Sequence, residues 1–314
     1  MPIGQIRSVR PLQGSIEATP DQAANSDILP GLLPRGTSVY LTDLGAGDMD
    51  TTVRAATRLR NLGYEPVPHI AVRRITSQVM IEDLLARLCG EADVRDVLVI
   101  GGGVGSALGP YDATLDLLQS GLLDRSGITR IGVAGHPEGS PDISDALIEA
   151  TLELKAEFAR QSDADMRIVT QFGFDAATAT GWLDRLGALG VDLPVHLGVA
   201  GPANISTLLK YAAMCGVGPS LGFLRKGSGL LTALATRYSP EAYVAPMEQW
   251  HHARSSSNLA GLHVFPFGGL AVSAQWLIER GSLVTPDGDP TSDGARPLQI
   301  GLTTNGTKQN GGPL

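Results

Sequence analysis

Eight short apolar segments alternate with longer stretches along this chain, and this alternation is what most constrains its fold. The segments cover residues 14–17, 38–42, 67–70, 96–100, 130–134, 167–171, 195–199 and 262–265. Runs of this length between helical stretches are typical of strands buried in a parallel sheet. Residues 50–62, 144–158 and 176–189 repeat apolar side chains at helical spacing, which predicts helices there.

The number of alternations favours a closed barrel over an open sheet. We predict the α/β class and a single (β/α)8 TIM barrel over residues 11–284, with loose segments at 1–10 and 285–314. A doubly wound sheet is the main alternative. The long segment 216–259 predicts a helix and a long loop before the eighth strand, and Asp142 and Ser206 are predicted helix N-caps.

Charge and cysteine content narrow the class of function. The net charge is −8 and no Lys/Arg run is present, which argues against a nucleic-acid partner. No apolar run approaches the roughly 18 residues of a membrane span, and residues 1–20 contain no signal-peptide core. Cys89 and Cys215 form no C-x-x-C pair, which favours free thiols in a reducing cytoplasm. We therefore expect a cytoplasmic protein, monomeric or a small homo-oligomer, that acts on a small molecule.

Polar residues at the ends of the predicted strands are the candidates for chemistry, because strand C-termini converge on one rim of such a barrel. Glu17 ends the first strand, Thr42 the second and Gln171 the sixth, and His69 lies in the third. A carboxyl group at an apolar strand end has a raised pKa and suits a general acid. A helix cap or a solvated loop residue is the alternative interpretation of Glu17.

A glycine run, residues 101–103, follows the fourth predicted strand. It does not fit the dinucleotide-binding pattern G-x-G-x-x-G, because Ser106 and Leu108 stand where the last glycine is required. Close approach of the backbone to a flat ligand and a plain tight turn both remain open for this run.

Two groups of histidines invite a functional interpretation. His136 and Glu138 follow the fifth strand and could form an acid/base pair if both face one site. His251 and His252 are adjacent and have no acidic or thiol partner at ligand spacing, so we interpret them as loop residues and predict no metal site.

Taken in order, these segments resemble the methylenetetrahydrofolate reductase family over roughly residues 14–282. Residues 170–175, Thr-Gln-Phe-Gly-Phe-Asp, resemble the family's T-Q-F-F-F-D. Residues 15–20, Ser-Ile-Glu-Ala-Thr-Pro, are similar to its first-strand S-F-E-F-F-P-P. Residues 68–70 resemble its P-H-L, and residues 136–138 are similar to its Y-P-E.

The resemblance implies a reaction of one-carbon metabolism that serves methionine biosynthesis. A hydride from NADH, or from NADPH, reduces the methylene group of 5,10-methylenetetrahydrofolate to give 5-methyltetrahydrofolate, and the reverse direction is also open. Glu17 matches the acid that helps open the five-membered ring, and Gln171 matches a folate-binding glutamine. The resemblance also assigns Phe172, Asn204 and Ile205 to the substrate side, and Thr42, His69, Gly101, Gly102, Gly103, His136 and Glu138 to the cofactor side.

Several positions depart from the family, mostly among its flavin contacts. Residues 101–103 replace an R-G-D, His136 stands where a flavin-contacting Tyr is expected, and Ser140 replaces a His. Glu157 stands where a Lys is expected, and Ile205 takes the place of a Phe that packs on folate or nicotinamide. A Glu for a Lys near a diphosphate is unfavourable.

These departures predict weak or absent FAD binding and direct hydride transfer from NADH to the folate. Lys155 and Arg160 lie near Glu157 in the sequence, and either would restore a positive charge, which is the main objection. Two other classes of function stay open. One is a folate-dependent methyl-transfer barrel, which needs a corrinoid or thiol partner. The other is a non-catalytic folate-binding protein, which would keep Gln171 but not need Glu17.

Overall fold

A computed structural model describes residues 11–43, 45, 48–214, 237–254 and 256–283 of the chain. The segments predicted to be loose, 1–10 and 285–314, lie outside the described residues, as does Cys215.

Eight parallel strands close into one barrel in the order β1-β10-β7-β6-β5-β4-β3-β2. They are β1 (Gly14–Ala18), β2 (Ser38–Leu41), β3 (Glu65–Ala71), β4 (Asp96–Ile100), β5 (Arg130–Gly135), β6 (Asp165–Gly173), β7 (Val195–Ala200) and β10 (Leu259–Phe265). Each corresponds to one predicted segment. Because β1 pairs with both β2 and β10, the sheet has no edge, and the predicted TIM barrel is confirmed over the doubly wound alternative. A short antiparallel pair, β8 (Ala203–Asn204) and β9 (Arg237–Tyr238), was not predicted.

Helices follow the strands around the barrel. They are α1 (Pro20–Asn25), α2 (Met49–Asn61), α3 (Gln78–Ala92), α4 (Thr114–Gln119), α5 (Leu122–Arg125), α6 (Asp145–Gln161), α7 (Ala176–Ala188), α8 (Ile205–Met214), α9 (Glu241–His252) and α10 (Leu270–Glu279), with a 3-10 turn at Val72–Arg74. The three helices predicted from apolar spacing are α2, α6 and α7.

Three local predictions were wrong. Ser206 is the second residue of α8 and therefore not its N-cap. The N-cap of α6 is Ser144, whose side chain accepts a hydrogen bond from the backbone of Leu147, and not Asp142, which lies three residues before the helix begins. His251 and His252 are not loop residues, because they form the last turn of α9.

The barrel interior is apolar in its middle and polar towards the N-terminal ends of the strands. Tyr40, Val67, Leu98 and Val169 form the apolar layer. Below it, the buried guanidinium of Arg167 donates hydrogen bonds to the hydroxyl of Tyr40 at 2.6 Å and to Asp96 at 2.9 Å. A buried ion pair of this kind is satisfied only in one arrangement, so it fixes how these strands sit against one another.

Candidate active site

Glu17 is the next-to-last residue of β1 and lies inside the rim formed by the strand C-termini, with 8% of its surface exposed. Its Oε1 atom is 3.0 Å from Nε2 of His263 in β10 and 3.6 Å from Nε2 of His69 in β3. The structure therefore brings together two of the residues predicted from sequence, Glu17 and His69. The alternative interpretation of Glu17 as a cap or solvated loop residue was wrong.

The electrostatics of this group follow from burial. Desolvation raises the pKa of Glu17 to about 7, and the nearby His69 opposes that rise. Burial lowers the pKa of His69, and burial with Arg167 lowers the pKa of His263 to about 3. Near neutral pH both imidazoles are therefore uncharged, and the pKa of Glu17 lies close to neutrality. A carboxyl group that titrates near the working pH can donate a proton efficiently.

His263 was missed by the sequence reasoning. It is fully buried in the middle of β10, and its Nδ1 atom is 2.9 Å from Oγ of Ser15. The available signal was a histidine inside the otherwise apolar run Leu-His-Val-Phe of the eighth strand. That signal alone does not tell which face of the strand the histidine occupies.

The loops after β2 and β4 form another part of the rim. Thr42 directly follows β2, its backbone N–H donates to the carbonyl of Ala18, and its buried hydroxyl has no partner in the described part of the chain. Gly102 and Gly103 have positive φ values of 103° and 63°, and a Cβ at Gly102 would lie 3.0 Å from that of Ala71. The positive φ and the close approach to Ala71 explain why residue 102 is a glycine, and both interpretations of the run, a tight turn and the approach of a flat ligand, stay predictions.

A narrow cleft lies at the ends of β5 and β6. Its lining is Pro137, Glu138, Gln171, Phe172, Gly173, Asp175, Ala179 and Tyr243. The structure thus brings Glu138, Gln171 and Phe172 to one cleft. The buried Oε1 of Gln171 has no hydrogen-bond partner among the residues described, so this acceptor is left unsatisfied at the cleft.

A bulge in β6 sets the position of Gln171. The pairing of β6 with β7 shifts register between Val169 and Phe172. The hydroxyl of Thr170 accepts from the backbone N–H of Gly198 at 2.8 Å and donates to the carbonyl of Gln171 at 2.8 Å. A Cβ at Gly198 would lie 2.3 Å from the carbonyl oxygens of Thr170 and Gln171, so only glycine permits this approach.

Aromatic rings border the rim beside His263. The ring of Phe265 is 4.9 Å from that of His263, and Phe172 packs edge-on against Phe265 and Phe267. Tyr211 of α8 stacks on Phe267 at 4.3 Å between ring centroids. Partly exposed stacked rings of this kind offer a surface for a flat heteroaromatic ligand.

The two remaining predicted substrate residues begin the segment after β7. Asn204 is exposed in β8, opposite Arg237 of β9, and Ile205 is buried as the first residue of α8.

The neighbourhood of His136 differs from the sequence expectation. Glu157 is exposed on α6 and accepts hydrogen bonds from Arg160 and Gln161, so the charge of Arg160 offsets its negative charge. Lys155, on the buried face of the same helix, is 6% exposed and burial lowers its pKa to about 8. Burial and the charge of Lys155 lower the pKa of His136 to about 4.

Comparison with known proteins finds sequence similarity to methylenetetrahydrofolate reductases. The chain is 28% identical over 192 residues to 5,10-methylenetetrahydrofolate reductase of Pectobacterium carotovorum subsp. carotovorum, a match that covers 61% of this chain and 62% of that protein. It is 29% identical over 194 residues to 5,10-methylenetetrahydrofolate reductase of Salmonella typhimurium, again covering 61% of this chain and 62% of the relative. No family model matches the chain.

Among solved structures, dihydropteroate synthase from Thermus thermophilus aligns with a TM-score of 0.43 and 13% identity, covering 87% of this chain and 95% of that one. Across the described helices, none is both long enough and apolar enough to cross a membrane.

Fold and site together define a closed (β/α)8 barrel with a buried acid at the C-terminal rim of its strands. Within that class, the chain is a divergent relative of the methylenetetrahydrofolate reductases, and the matched region spans about 62% of their length.

Proposed function

We propose that this protein is an oxidoreductase that interconverts 5,10-methylenetetrahydrofolate and 5-methyltetrahydrofolate, with NADH as the hydride donor and NADPH as the alternative. The observation that carries the proposal is Glu17, whose buried carboxyl group at the barrel rim titrates near neutrality beside two uncharged imidazoles. The similarity to methylenetetrahydrofolate reductases supports a methylenetetrahydrofolate as the substrate on which such an acid would act.

In the reductive direction Glu17 acts as a general acid. One bond from the methylene carbon to a ring nitrogen breaks, and Glu17 gives its proton to the departing nitrogen. A hydride from the nicotinamide then adds to the methylene carbon, which becomes the methyl group. The products are NAD⁺, 5-methyltetrahydrofolate and ionised Glu17, which regains a proton from solvent before the next cycle.

Gln171 would recognise the pterin ring of the folate. A side-chain amide both donates and accepts, which matches the adjacent N–H and C=O groups of a pterin. The buried, unpartnered Oε1 of Gln171 supports this role. Phe172 would form the apolar floor beside it, and Asn204 with Ile205 would contact the more exposed part of the substrate.

FAD is the cofactor that the family resemblance implies, and the residues of this rim fit it poorly. Residues 101–103 supply no side chain, and the half-buried His136 stands where the family resemblance implies a tyrosine. Lys155 is the feature that favours an anionic group, because its ammonium group is buried near His136 and makes no ion pair with a carboxylate of the described residues. We therefore assign weak or no FAD binding. The residues that we assign to binding the nicotinamide cofactor are Thr42, His69, Gly101, Gly102, Gly103, His136 and Glu138.

Direct transfer requires the nicotinamide and the pterin to be bound together, with the reacting carbons about 3–3.5 Å apart. The glycine turn at 101–103 leaves space at the rim for that approach. The net charge and the cysteine pattern are consistent with a cytoplasmic role in one-carbon metabolism and methionine biosynthesis, as a monomer or small homo-oligomer.

The test is the loss of reduced-nicotinamide absorbance when purified protein is mixed with NADH and 5,10-methylenetetrahydrofolate, with 5-methyltetrahydrofolate identified by mass spectrometry. Turnover without added flavin supports the proposal. Folate binding without NADH oxidation would instead favour a folate-binding protein, and methyl transfer to a thiol or corrinoid acceptor would favour the methyl-transfer alternative.

A further inference from the structure

His263 is held between two residues of β1. Ser15 and Glu17 are two residues apart in that strand, so their side chains point to the same face, towards the barrel interior. The ladder between β1 and β10 places Ser15 directly opposite His263. Both ring nitrogens then have a partner, with Nδ1 2.9 Å from Oγ of Ser15 and Nε2 3.0 Å from Oε1 of Glu17.

We propose that His263 is a positioning residue for the acid: Ser15 donates to Nδ1, which fixes the proton of the neutral imidazole on Nε2, and Nε2–H donates to Oε1 of Glu17, leaving Oε2 to carry the proton that is transferred. This inference rests on the proposed function of Glu17 as the general acid.

The alternative tautomer is less favourable for the reaction. The hydroxyl of Ser15 also lies 3.2 Å from the carbonyl oxygen of Leu262. If the Ser15 hydroxyl donated to that carbonyl, Nδ1–H of His263 would donate to Ser15, and the lone pair of Nε2 would face Glu17. Once Glu17 had lost its proton, a lone pair and a carboxylate would then lie 3.0 Å apart. With the proton on Nε2, one hydrogen bond persists before and after transfer and stabilises the carboxylate as it forms.

The surroundings of His263 keep it uncharged, so that it orients Glu17 without taking its proton. Its ring is fully buried and packs at 4.4 Å from that of Tyr40. The titratable and charged groups that face Glu17 and His263 from the neighbouring strands are Tyr40 of β2, His69 of β3, Arg167 of β6 and His196 of β7. Burial, followed by the positive charge of Arg167, lowers the pKa of His263 to about 3, which opposes a second proton on the ring.

Two substitutions of His263 separate positioning from packing. The side-chain amide nitrogen of Gln reaches about as far as Nε2 of histidine, whereas that of Asn reaches only as far as Nδ1. We expect His263→Asn to lower kcat by about 10-fold to 100-fold with little change in KM, because the bond to Glu17 is lost. His263→Gln should retain most of kcat.

The dependence of kcat on pH adds a second measurement, which a change in packing alone would leave unaltered. A donor to the ionised carboxyl lowers its pKa, so removing the donor raises it. The fall of kcat at alkaline pH should therefore shift upwards by roughly one pH unit in His263→Asn and stay in place in His263→Gln. Equal loss of kcat in both variants with no shift of the profile would overturn the proposal.

Long-range ¹H–¹⁵N spectra of the full-length protein test the tautomer without any activity measurement. The chain has six histidines, and the signals that His263→Gln removes identify His263. The proposal requires a protonated Nε2 and a bare Nδ1, and it requires Ser15→Ala to weaken that preference. A proton on Nδ1 would overturn it. If NADH oxidation is absent altogether, the proposed function fails, while these spectra still decide the tautomer.

Discussion

Nε2 of His69 lies 3.6 Å from Oε1 of Glu17, close enough for attraction but too far for a hydrogen bond. This nitrogen has no hydrogen-bond partner within the described chain. The two side chains come from β1 and β3, which are not adjacent, so β2 holds them at this distance. The proton on Glu17 is thus governed by burial, with His69 as the opposing influence.

The pH dependence of turnover follows from this arrangement. Reduction needs protonated Glu17, and its pKa is raised to about 7. We expect kcat for methylenetetrahydrofolate reduction to be steady below that pH and to fall about tenfold per pH unit above it. Steady-state rates at saturating substrate across the range would show this, and a kcat that rises with pH in this range would contradict it.

Removing the ionisable group should abolish most catalysis. Glu17→Gln keeps the size of the side chain, so we expect kcat to fall by roughly 10²–10⁴-fold while folate affinity changes far less. Glu82→Gln, at an exposed position of α3, is the matched control and should behave as wild type. Near-normal turnover in Glu17→Gln would assign Glu17 a structural role only.

The same substitution should change how stability depends on pH. The folded-state pKa of Glu17 is raised from 4.5 to about 7, so the folded protein binds more protons than the unfolded chain between these values. Stability from this group is therefore present below about 4.5 and is lost as the pH rises towards 7, by roughly 3 kcal/mol in total. In urea unfolding, the free energy of unfolding of Glu17→Gln should rise relative to that of wild type as the pH increases across this window. A difference between the two proteins that does not change with pH would refute the assigned pKa shift.

Gln171→Ala should weaken folate binding more than it slows chemistry. Loss of one or two hydrogen bonds to the pterin predicts a rise in KM of roughly tenfold, with a smaller change in kcat. Gln275→Ala, on the exposed face of α10, is the control. Direct titration of folate by calorimetry checks the result, and unchanged affinity would remove Gln171 from the substrate site.

Direct hydride transfer predicts a nearly colourless protein that needs no added FAD. Because both substrates must be bound at once, double-reciprocal plots at several NADH concentrations should intersect. A yellow protein with a visible flavin absorption band, or parallel plots typical of a ping-pong mechanism, would refute the flavin-free proposal and leave the relatedness to methylenetetrahydrofolate reductases standing. Reconstitution with excess FAD, followed by desalting, is the control for flavin lost during purification.

Gly198→Ala tests the bulge that places Gln171. The added Cβ would lie 2.3 Å from two backbone oxygens, so β6 must move. We expect a loss of roughly 1–3 kcal/mol in the free energy of unfolding together with a higher KM for folate. Gly187→Ala in α7 meets no atom within 4 Å and should be neutral or stabilising. Wild-type stability in Gly198→Ala would contradict the described register.

The strands could be predicted because buried parallel strands are locally apolar, and Glu17 and His69 could be predicted because they are polar residues within those runs. The pairing of His263 with Glu17 could not, since it joins residues 246 positions apart and depends on the register of closure. The burial of Lys155 and the exposure of Glu157 could not be predicted either, because they depend on which face of α6 packs on the barrel. Apolar spacing shows that the helix has a buried face, but it does not tell whether a charged residue at the border of that face is buried or exposed.

The closure of the barrel by β1 and β10 has a consequence for how the protein matures. Glu17 is made early in synthesis, but the strand that contains His263 is made last among the eight, and contacts of such large sequence separation form slowly. Because the raised pKa of Glu17 comes from burial, we expect this carboxyl group to keep an ordinary acidity until β10 docks beside it. The proposed proton transfer would then require a closed barrel, and a chain in which β6 has folded but β10 has not docked would lack it.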